Sequence, residues 1–268
     1  MKCIPRIALV LFGLLLSVNV LAENVLKLAT TTSTADSGLL PVLNAPFEKQ
    51  HGARVDVIAV GSGKALKLGE NGDVDVVLTH DPDAEERFVA AGHGVGRQAV
   101  MYNDFLIVGP TGDPAGVKGA KTAADAVRSI AAARADFVSR GDESGTHVKE
   151  KSLWRAHGLT PQGDWYLSAG QGMGAVLRMA ADKSAYTLTD RGTWLAMRAK
   201  LEGLVPLFEG GAELMNPYHV MIVNPVKHPH VNRELAEAYL RYLIGAEGQK
   251  VIADFRVDGE VLFHPSER

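Results

Sequence analysis

Two stretches of this chain gather oxyanion donors at the point where a strand hands over to a helix. The first is Thr30-Thr31-Thr32-Ser33, followed by a capping cluster, Asp36-Ser37-Gly38. The second is Ser139-Arg140-Gly141-Asp142-Glu143-Ser144-Gly145-Thr146. A helix start presents backbone N–H groups that have no intrahelical partner, and the helix dipole adds partial positive charge there. Hydroxyls beside such a start suit a small anion, and the fork of N–H donors on Arg140 suits an oxyanion in particular. An N-cap with hydroxyls to spare accounts equally well for the first stretch. The second holds more than capping requires, with an Arg140–Asp142 surface pair beside a capped helix as the plainer alternative. Ser62, in Gly61-Ser62-Gly63-Lys64, offers another hydroxyl at a strand-to-helix turn. Arg191 either points into the same cleft or pairs with Asp190.

Other chemistries find little support. Gly61-Ser62-Gly63-Lys64 departs from a nucleotide P-loop, with Ile58 where the first glycine belongs and Ala65 where a magnesium-binding hydroxyl belongs. Gly170-Gln171-Gly172-Met173-Gly174-Ala175 has the spacing of a dinucleotide fingerprint, but it lies mid-chain in a chain read as exported, and a glycine-rich helix start explains it. The nine histidines are scattered, and His228-Pro229-His230, the closest pair, lacks nearby acids or cysteines for a metal site. No serine sits in a G-x-S-x-G elbow, so catalysis is not supported.

These residues need elements to hold them. Val25–Ala29 reads as a buried strand, followed by Leu39, Leu40, Leu43 and Phe47 at helical spacing, with Pro41 tolerable in the first turn. Strand then alternates with helix: strands over 54–60, 75–78, 136–139, 165–169 and 186–190, helices from Lys64, Asp83, Thr122 and Gly145, and two more over 233–244 and 246–256. This alternation predicts an α/β fold with a largely parallel sheet. Asp104–Pro110 and His219–Pro225 resemble each other, each an apolar run closed by a turn residue and a proline. We read them as two crossing strands joining an outer domain, 23–107 with 219–268, to an inserted one, 108–218, able to close on a ligand. Two neighbouring strands of one sheet would look the same.

Lys2 and Arg6, the apolar run Ile7–Leu16 and the small-residue site Val20-Leu21-Ala22 predict a cleaved export signal over residues 1–22. The sole cysteine, Cys3, lies inside it, so the remaining chain would hold no disulfide. Net charge moves from −3 to −5 when Lys2 and Arg6 leave. No basic run or aromatic-interleaved patch points to nucleic acid. An anion held here must therefore be held by local donors.

The run Thr30–Ser33, the segment from Thr79-His80-Asp81-Pro82 to Met101-Tyr102-Asn103-Asp104-Phe105, the block Ser139–His147 and Leu188–Thr193 together resemble the tungstate-binding periplasmic component of bacterial ABC-type importers. The resemblance covers nearly all of the chain after the signal. It implies a two-domain periplasmic binding protein fold (type II-like) with the ligand cleft between the domains. It also implies a monomer in the periplasm that binds tungstate, and molybdate more weakly, and delivers it to a membrane permease, with no cofactor. Carried over by position, the contacts are Thr31, Thr32 and Ser33 from one domain, with Arg140, Ser144, Gly145 and Thr146 from the other; Ser62 and Arg191 complete the set. Arg140-x-Asp142-x-Ser144-Gly145-Thr146 also looks like the loop of periplasmic phosphate-binding proteins, which makes phosphate the alternative. Tungstate has no proton to give a carboxylate, so Asp142 is expected to turn away, bracing Arg140 or capping the helix at Ser144. An exported enzyme acting on phosphate esters is the reading from another class, and no nucleophile or metal set supports it.

Overall fold

The computed structural model describes residues 24–142 and 144–266, so the export signal expected over residues 1–22 lies outside the described residues, as does Glu143. The apolar strand β1 (Asn24–Thr31) runs into a short helix, α1 (Thr32–Asp36), and then α2 (Leu39–His51). The chain continues through β2 (Ala53–Val60), α3 (Ser62–Asn71), β3 (Val76–Thr79) and α4 (Pro82–Ala90). β1 pairs in parallel with β2 and β3, with Thr31 beside Val60 and Thr30 beside Leu78. This register sets the carboxyl ends of all three strands on one edge, from which α1, α3 and α4 depart. In open α/β sheets that edge is where ligands are met.

A 17-residue strand follows, β4 (Gly94–Pro110), then α5 (Ala123–Ala133), β5 (Phe137–Ser139), α6 (Gly145–Ala156), β6 (Tyr166–Ser168), α7 (Met173–Lys183), β7 (Thr187–Asp190), α8 (Arg191–Met197), β8 (Leu204–Glu209) and β9 (Met215–Val223). β4 belongs to two lobes. Its residues 94–104 pair antiparallel with β9, which borders β3, whereas 105–110 pair with β7 and β8. β5 lies parallel to β6 and bridges to Tyr186 beside β7. The chain closes with α9 (Arg233–Ile244) and α10 (Ala246–Asp254), the two-residue strands β10 (Arg256–Val257) and β11 (Glu260–Val261), and β12 (His264–Pro265), which pairs with β4.

The related stretch Asp104–Pro110 falls on β4 and residues 219–223 on β9, neighbouring strands, but the two stretches are not paired with each other: residues 219–223 lie opposite residues 94–99 of β4, and residues 105–110 lie against β7 and β8. The β4–β9 pairing runs from Gly94 opposite Val223 to Asp104 opposite Met215, where β4 changes partners.

Each lobe buries apolar side chains on both sides of its strands. Ala29, Leu66, Val77, Phe88 and Met221 pack beneath α3 and α4. Phe105, Ile107, Ile130, Phe137, Trp154 and Leu188 fill the second lobe. The largest cluster runs from Leu26, Leu28, Phe47 and Tyr239 through Leu106 and Val108 of β4 to Val176, Leu177 and Trp194, so apolar packing is continuous across the crossing strand. A fully buried side chain of this size contributes about 1.5–3 kcal/mol relative to exposure. Among the described residues no helix is long and apolar enough to cross a membrane, and no group of three or more His, Cys, Asp and Glu is placed to hold a metal ion.

Candidate functional site

A cleft of about 940 Å³ opens where the two lobes face each other, lined from one side by Thr31, Thr32, Ser33, Ser62, Lys64 and His80, and from the other by Arg140, Asp142, Ser144, Gly145, Thr146 and Gly172. The structure therefore brings together eight of the nine residues expected from the sequence, and leaves out Arg191. That guanidinium is engaged elsewhere: its Nε donates to Asp104 Oδ1 at 2.5 Å, and its Nη2 to Asp104 Oδ2 at 2.6 Å and to Glu209 Oε2 at 3.0 Å. Bonding to Asp104 and Glu209 holds Arg191 firmly protonated. Already satisfied by two carboxylates, Arg191 clasps β4 at the point where that strand changes lobes. Asp190, its expected partner, instead caps α8 through Thr193.

Helix starts converge on the cleft from both sides. α3 begins after Gly61 and α7 after Gly172, and neither glycine can supply a side-chain cap. The first N–H groups of these two helices, 10 and 11 residues long, are thereby left for solvent or a ligand. α6 is capped at Ser144, whose Oγ accepts from His147 N at 3.3 Å, while Gly145 and Thr146 form its cleft-facing first turn. α1 is capped at Thr31, whose Oγ1 accepts from Thr34 N at 3.3 Å and lies 3.1 Å from Ser33 Oγ. Thr31 is thus both a cap and a cleft residue. Thr30, by contrast, points into the sheet, where its hydroxyl donates to Leu78 O at 2.8 Å.

Arg140 follows β5 directly and is mostly shielded, its side chain 18% exposed. Its Nη2 donates to Asp142 Oδ2 at 2.5 Å, and Asp142 Oδ1 accepts from Ser144 N at 3.2 Å. Asp142 does both jobs expected of it, bracing Arg140 and tying down the start of α6, although it still lines the cleft. Burial pushes its carboxyl upward, but hydrogen bonds from Ser144 and Arg140 and the guanidinium charge hold it below the usual carboxylate range. Arg140 Nε is buried with no hydrogen-bond partner among the described residues. A buried donor of that kind is costly unless a ligand or water meets it. Gly141 makes the turn possible: its φ is +62°, and a Cβ there would lie 2.0 Å from Ser168 Oγ.

Two buried carboxylates hold the turns that carry these residues. Glu150, 2% exposed, accepts from Ser139 Oγ (2.7 Å), Trp154 Nε1 (3.0 Å) and Tyr166 OH (2.6 Å), fixing α6 to the end of β5. Glu85, wholly buried, accepts from Thr79 Oγ1, Asp81 N and the Arg97 fork, with His219 Nδ1 at 2.9 Å. This fixes the turn between β3 and α4, which bears His80.

His80, like Lys64, is a cleft residue that sequence reasoning left out of the site. Its Nδ1 lies 3.0 Å from Asn216 Oδ1 and its Nε2 3.5 Å from Ser33 Oγ, and its ring packs at a tilt of 33° against Tyr218 with centroids 4.7 Å apart. Burial pushes its imidazole below the ordinary histidine range, against the opposing pull of Asn216, Glu85, Asp190 and Asp81. The start of α7 was missed as well, although its run of glycines was the available signal.

Lys64 and Arg140 face four aspartates around the cleft, Asp36, Asp81, Asp142 and Asp190. Formal charge therefore does not favour an anion here. Oriented N–H and O–H groups do, acting as fixed partial charges close to the guest.

A family model described as a PBP superfamily domain matches residues 22–247. The tungstate-binding protein TupA of Peptoclostridium acidaminophilum is 46% identical over 249 residues, covering 91% of this chain and 87% of its own. TupA of Campylobacter jejuni is 39% identical over 235 residues, covering 86% and 87%. Among solved structures, TupA from Desulfovibrio alaskensis G20 matches with a TM-score of 0.85 at 47% identity, over 92% of this chain and all (100%) of that one. The tungstate ABC transporter structure from Geobacter sulfurreducens matches with a TM-score of 0.78 at 57% identity, over 86% and 98%. Matched in this way along most of its length, the chain belongs to the PBP superfamily and, within it, to the family of tungstate-binding proteins that includes TupA.

Proposed function

We propose that this protein binds tungstate in the cleft between its lobes, outside the cytoplasmic membrane, and presents it to the permease of an ABC-type importer. The observation that carries this reading is Arg140 Nε, a buried cationic donor with no hydrogen-bond partner among the described residues, on a residue that lines the cleft together with the first turn of α6. Across the cleft stand Thr31, Thr32, Ser33 and Ser62, so an anion lodged between them would take donors from both lobes. We read the protein as one that binds its ligand without transforming it, in keeping with the tungstate-binding proteins it resembles. A cleft of about 940 Å³ far exceeds a small tetrahedral ion, since one water fills about 30 Å³. The ion therefore occupies only part of the cleft, where donors of the two lobes come near each other, as at His80 and Gly145. Donors to a charged group contribute about 1.5–3 kcal/mol each, and roughly half a dozen exceed the ~12 kcal/mol of a nanomolar site before desolvation is subtracted.

Asp142 at the cleft wall is the feature that favours phosphate, whose remaining proton needs an acceptor. Against it, both Asp142 oxygens already accept, from Arg140 and from the Ser144 N–H. A fully deprotonated dianion is the better guest, tungstate first and molybdate more weakly. Calorimetric titration with tungstate, molybdate, sulfate and phosphate tests this. Tight binding of tungstate with weak phosphate binding is the expected result, and the reverse order would overturn the proposal.

A further inference from the structure

We propose that His80 is a proton-linked contact of the anion site: when the oxyanion enters, the imidazole takes up a proton from solvent and its Nε2–H becomes a donor at the cleft floor. The inference rests on the cleft being the anion site. It starts from a hydrogen-bond chain that fixes the tautomer. Asn216 Nδ2 donates to Asn103 Oδ1 at 2.7 Å and to Tyr218 OH at 3.1 Å, so Asn216 turns its Oδ1 toward His80. Nδ1 must then carry the hydrogen, and Nε2 of the neutral ring is left as a bare acceptor. Asn103 and Asn216 are each only 3% exposed, so this chain is not free to rearrange in solvent.

Nε2 points where an anion would be met. It lies 3.5 Å from Ser33 Oγ at the start of α1. On the other lobe, a Cβ built on Gly145 would stand 3.1 Å from His80 Cε1, so the ring edge reaches the first turn of α6. His80 is thus the side chain at which the two donor sets meet, and it lines the cleft. A lone pair facing a dianion repels it, whereas an N–H at the same position attracts it. Opposite charge within about 4–6 Å shifts a titratable group's proton affinity tenfold or more.

The surrounding groups leave the ring poised between the two forms. Asp81 on its own turn, Glu85 on α4 and Asp190 at the end of β7 each favour the charged ring. Arg97 already offsets Glu85, and Tyr218 and Asn216 on β9 are neutral. Arg140 stands on the facing wall, itself paired with Asp142. Burial tips this balance toward the neutral ring, and a dianion would reverse it.

The test is titration of sodium tungstate into the purified protein in buffers of differing ionisation enthalpy, from about pH 6 to 9, with tungstate kept dilute enough to remain the monomeric dianion. Net uptake of up to one proton per anion is expected, with affinity falling by as much as tenfold per pH unit as pH rises through the bound-state titration. In H80Q the uptake should vanish and the profile flatten. If H80Q folds poorly, the wild-type imidazole ¹⁵N signals serve instead, and Nε2 should change from acceptor to protonated when tungstate is added. Tight tungstate binding without proton uptake, or uptake undiminished in H80Q, would overturn this inference while leaving the cleft assignment standing. Failure of tungstate to bind at all would remove the cleft assignment itself.

Discussion

Replacing Arg140 by alanine removes the cationic donor of the cleft, and its effect can be worked out from the contacts. Among the described residues, the guanidinium bonds to Asp142 through Nη2, and its buried Nε has no hydrogen-bond partner. Losing a charge-assisted hydrogen bond to the oxyanion costs about 1.5–3 kcal/mol. A second cost follows, because Asp142 loses its neutralising partner while still lining the cleft. Its carboxylate, held by the Ser144 N–H alone, then repels a dianion, by about 1–2 kcal/mol after solvent screening. Together these give roughly 2.5–5 kcal/mol, or about fifty-fold to a few thousandfold weaker tungstate binding. The assay is calorimetry on R140A, on D142N and on the double variant, with thermal melts to confirm that each remains folded. If the freed carboxylate accounts for part of the loss, adding D142N to R140A should recover roughly tenfold. A change of less than about threefold in R140A, with the fold retained, would refute the reasoning.

Three further outcomes follow from the structure. R191A should leave tungstate affinity within about threefold, because Arg191 is occupied by Asp104 and Glu209, yet lower the melting temperature by a few degrees through loss of a partly exposed ion pair. E150A strands three donors, Ser139 Oγ, Trp154 Nε1 and Tyr166 OH, and should cost about 3–5 kcal/mol of unfolding free energy in denaturant titration, weakening binding indirectly through Arg140. Glu85 makes stability depend on acid. Burial pushes its carboxyl up, but His219, Thr79 and the Asp81 N–H outweigh this and hold it below its ordinary value. A depressed folded-state value means that this contribution is complete above the unfolded carboxyl's titration near pH ~4.3 and is lost as pH falls through the folded one. Melts between pH 7 and 3 should show that acid limb, and it should be shallower in E85Q.

Much of the architecture could be read from local patterns. Short apolar runs ending in hydroxyls or glycines, followed by apolar residues at helical spacing, marked the strand-to-helix turns, because burial of one helix face is written directly into the spacing. The block from Ser139 to Thr146 was legible for a related reason: its cap, its brace and its arginine all lie within eight residues. What escaped depends on distant pairing. The partner of Arg191 is Asp104, 87 residues away, and no local spacing distinguishes it from the adjacent Asp190. The orientation of His80 depends on Asn216, 136 residues further on, which reaches it only because β9 lies beside β3. The full extent of β4 was hidden because its first half carries polar and glycine residues through Gly94-Val95-Gly96-Arg97-Gln98, a poor strand by composition that is held by its pairing with β9.

The most direct measurement is a crystal soaked in tungstate, with anomalous data collected at the tungsten absorption edge. The account predicts one strong peak between the lobes, within hydrogen-bonding reach of Arg140 and the first turn of α6 on one side and of the Thr31–Ser33 hydroxyls on the other. A cleft without anomalous density, or a peak on the outer surface of either lobe, would contradict it.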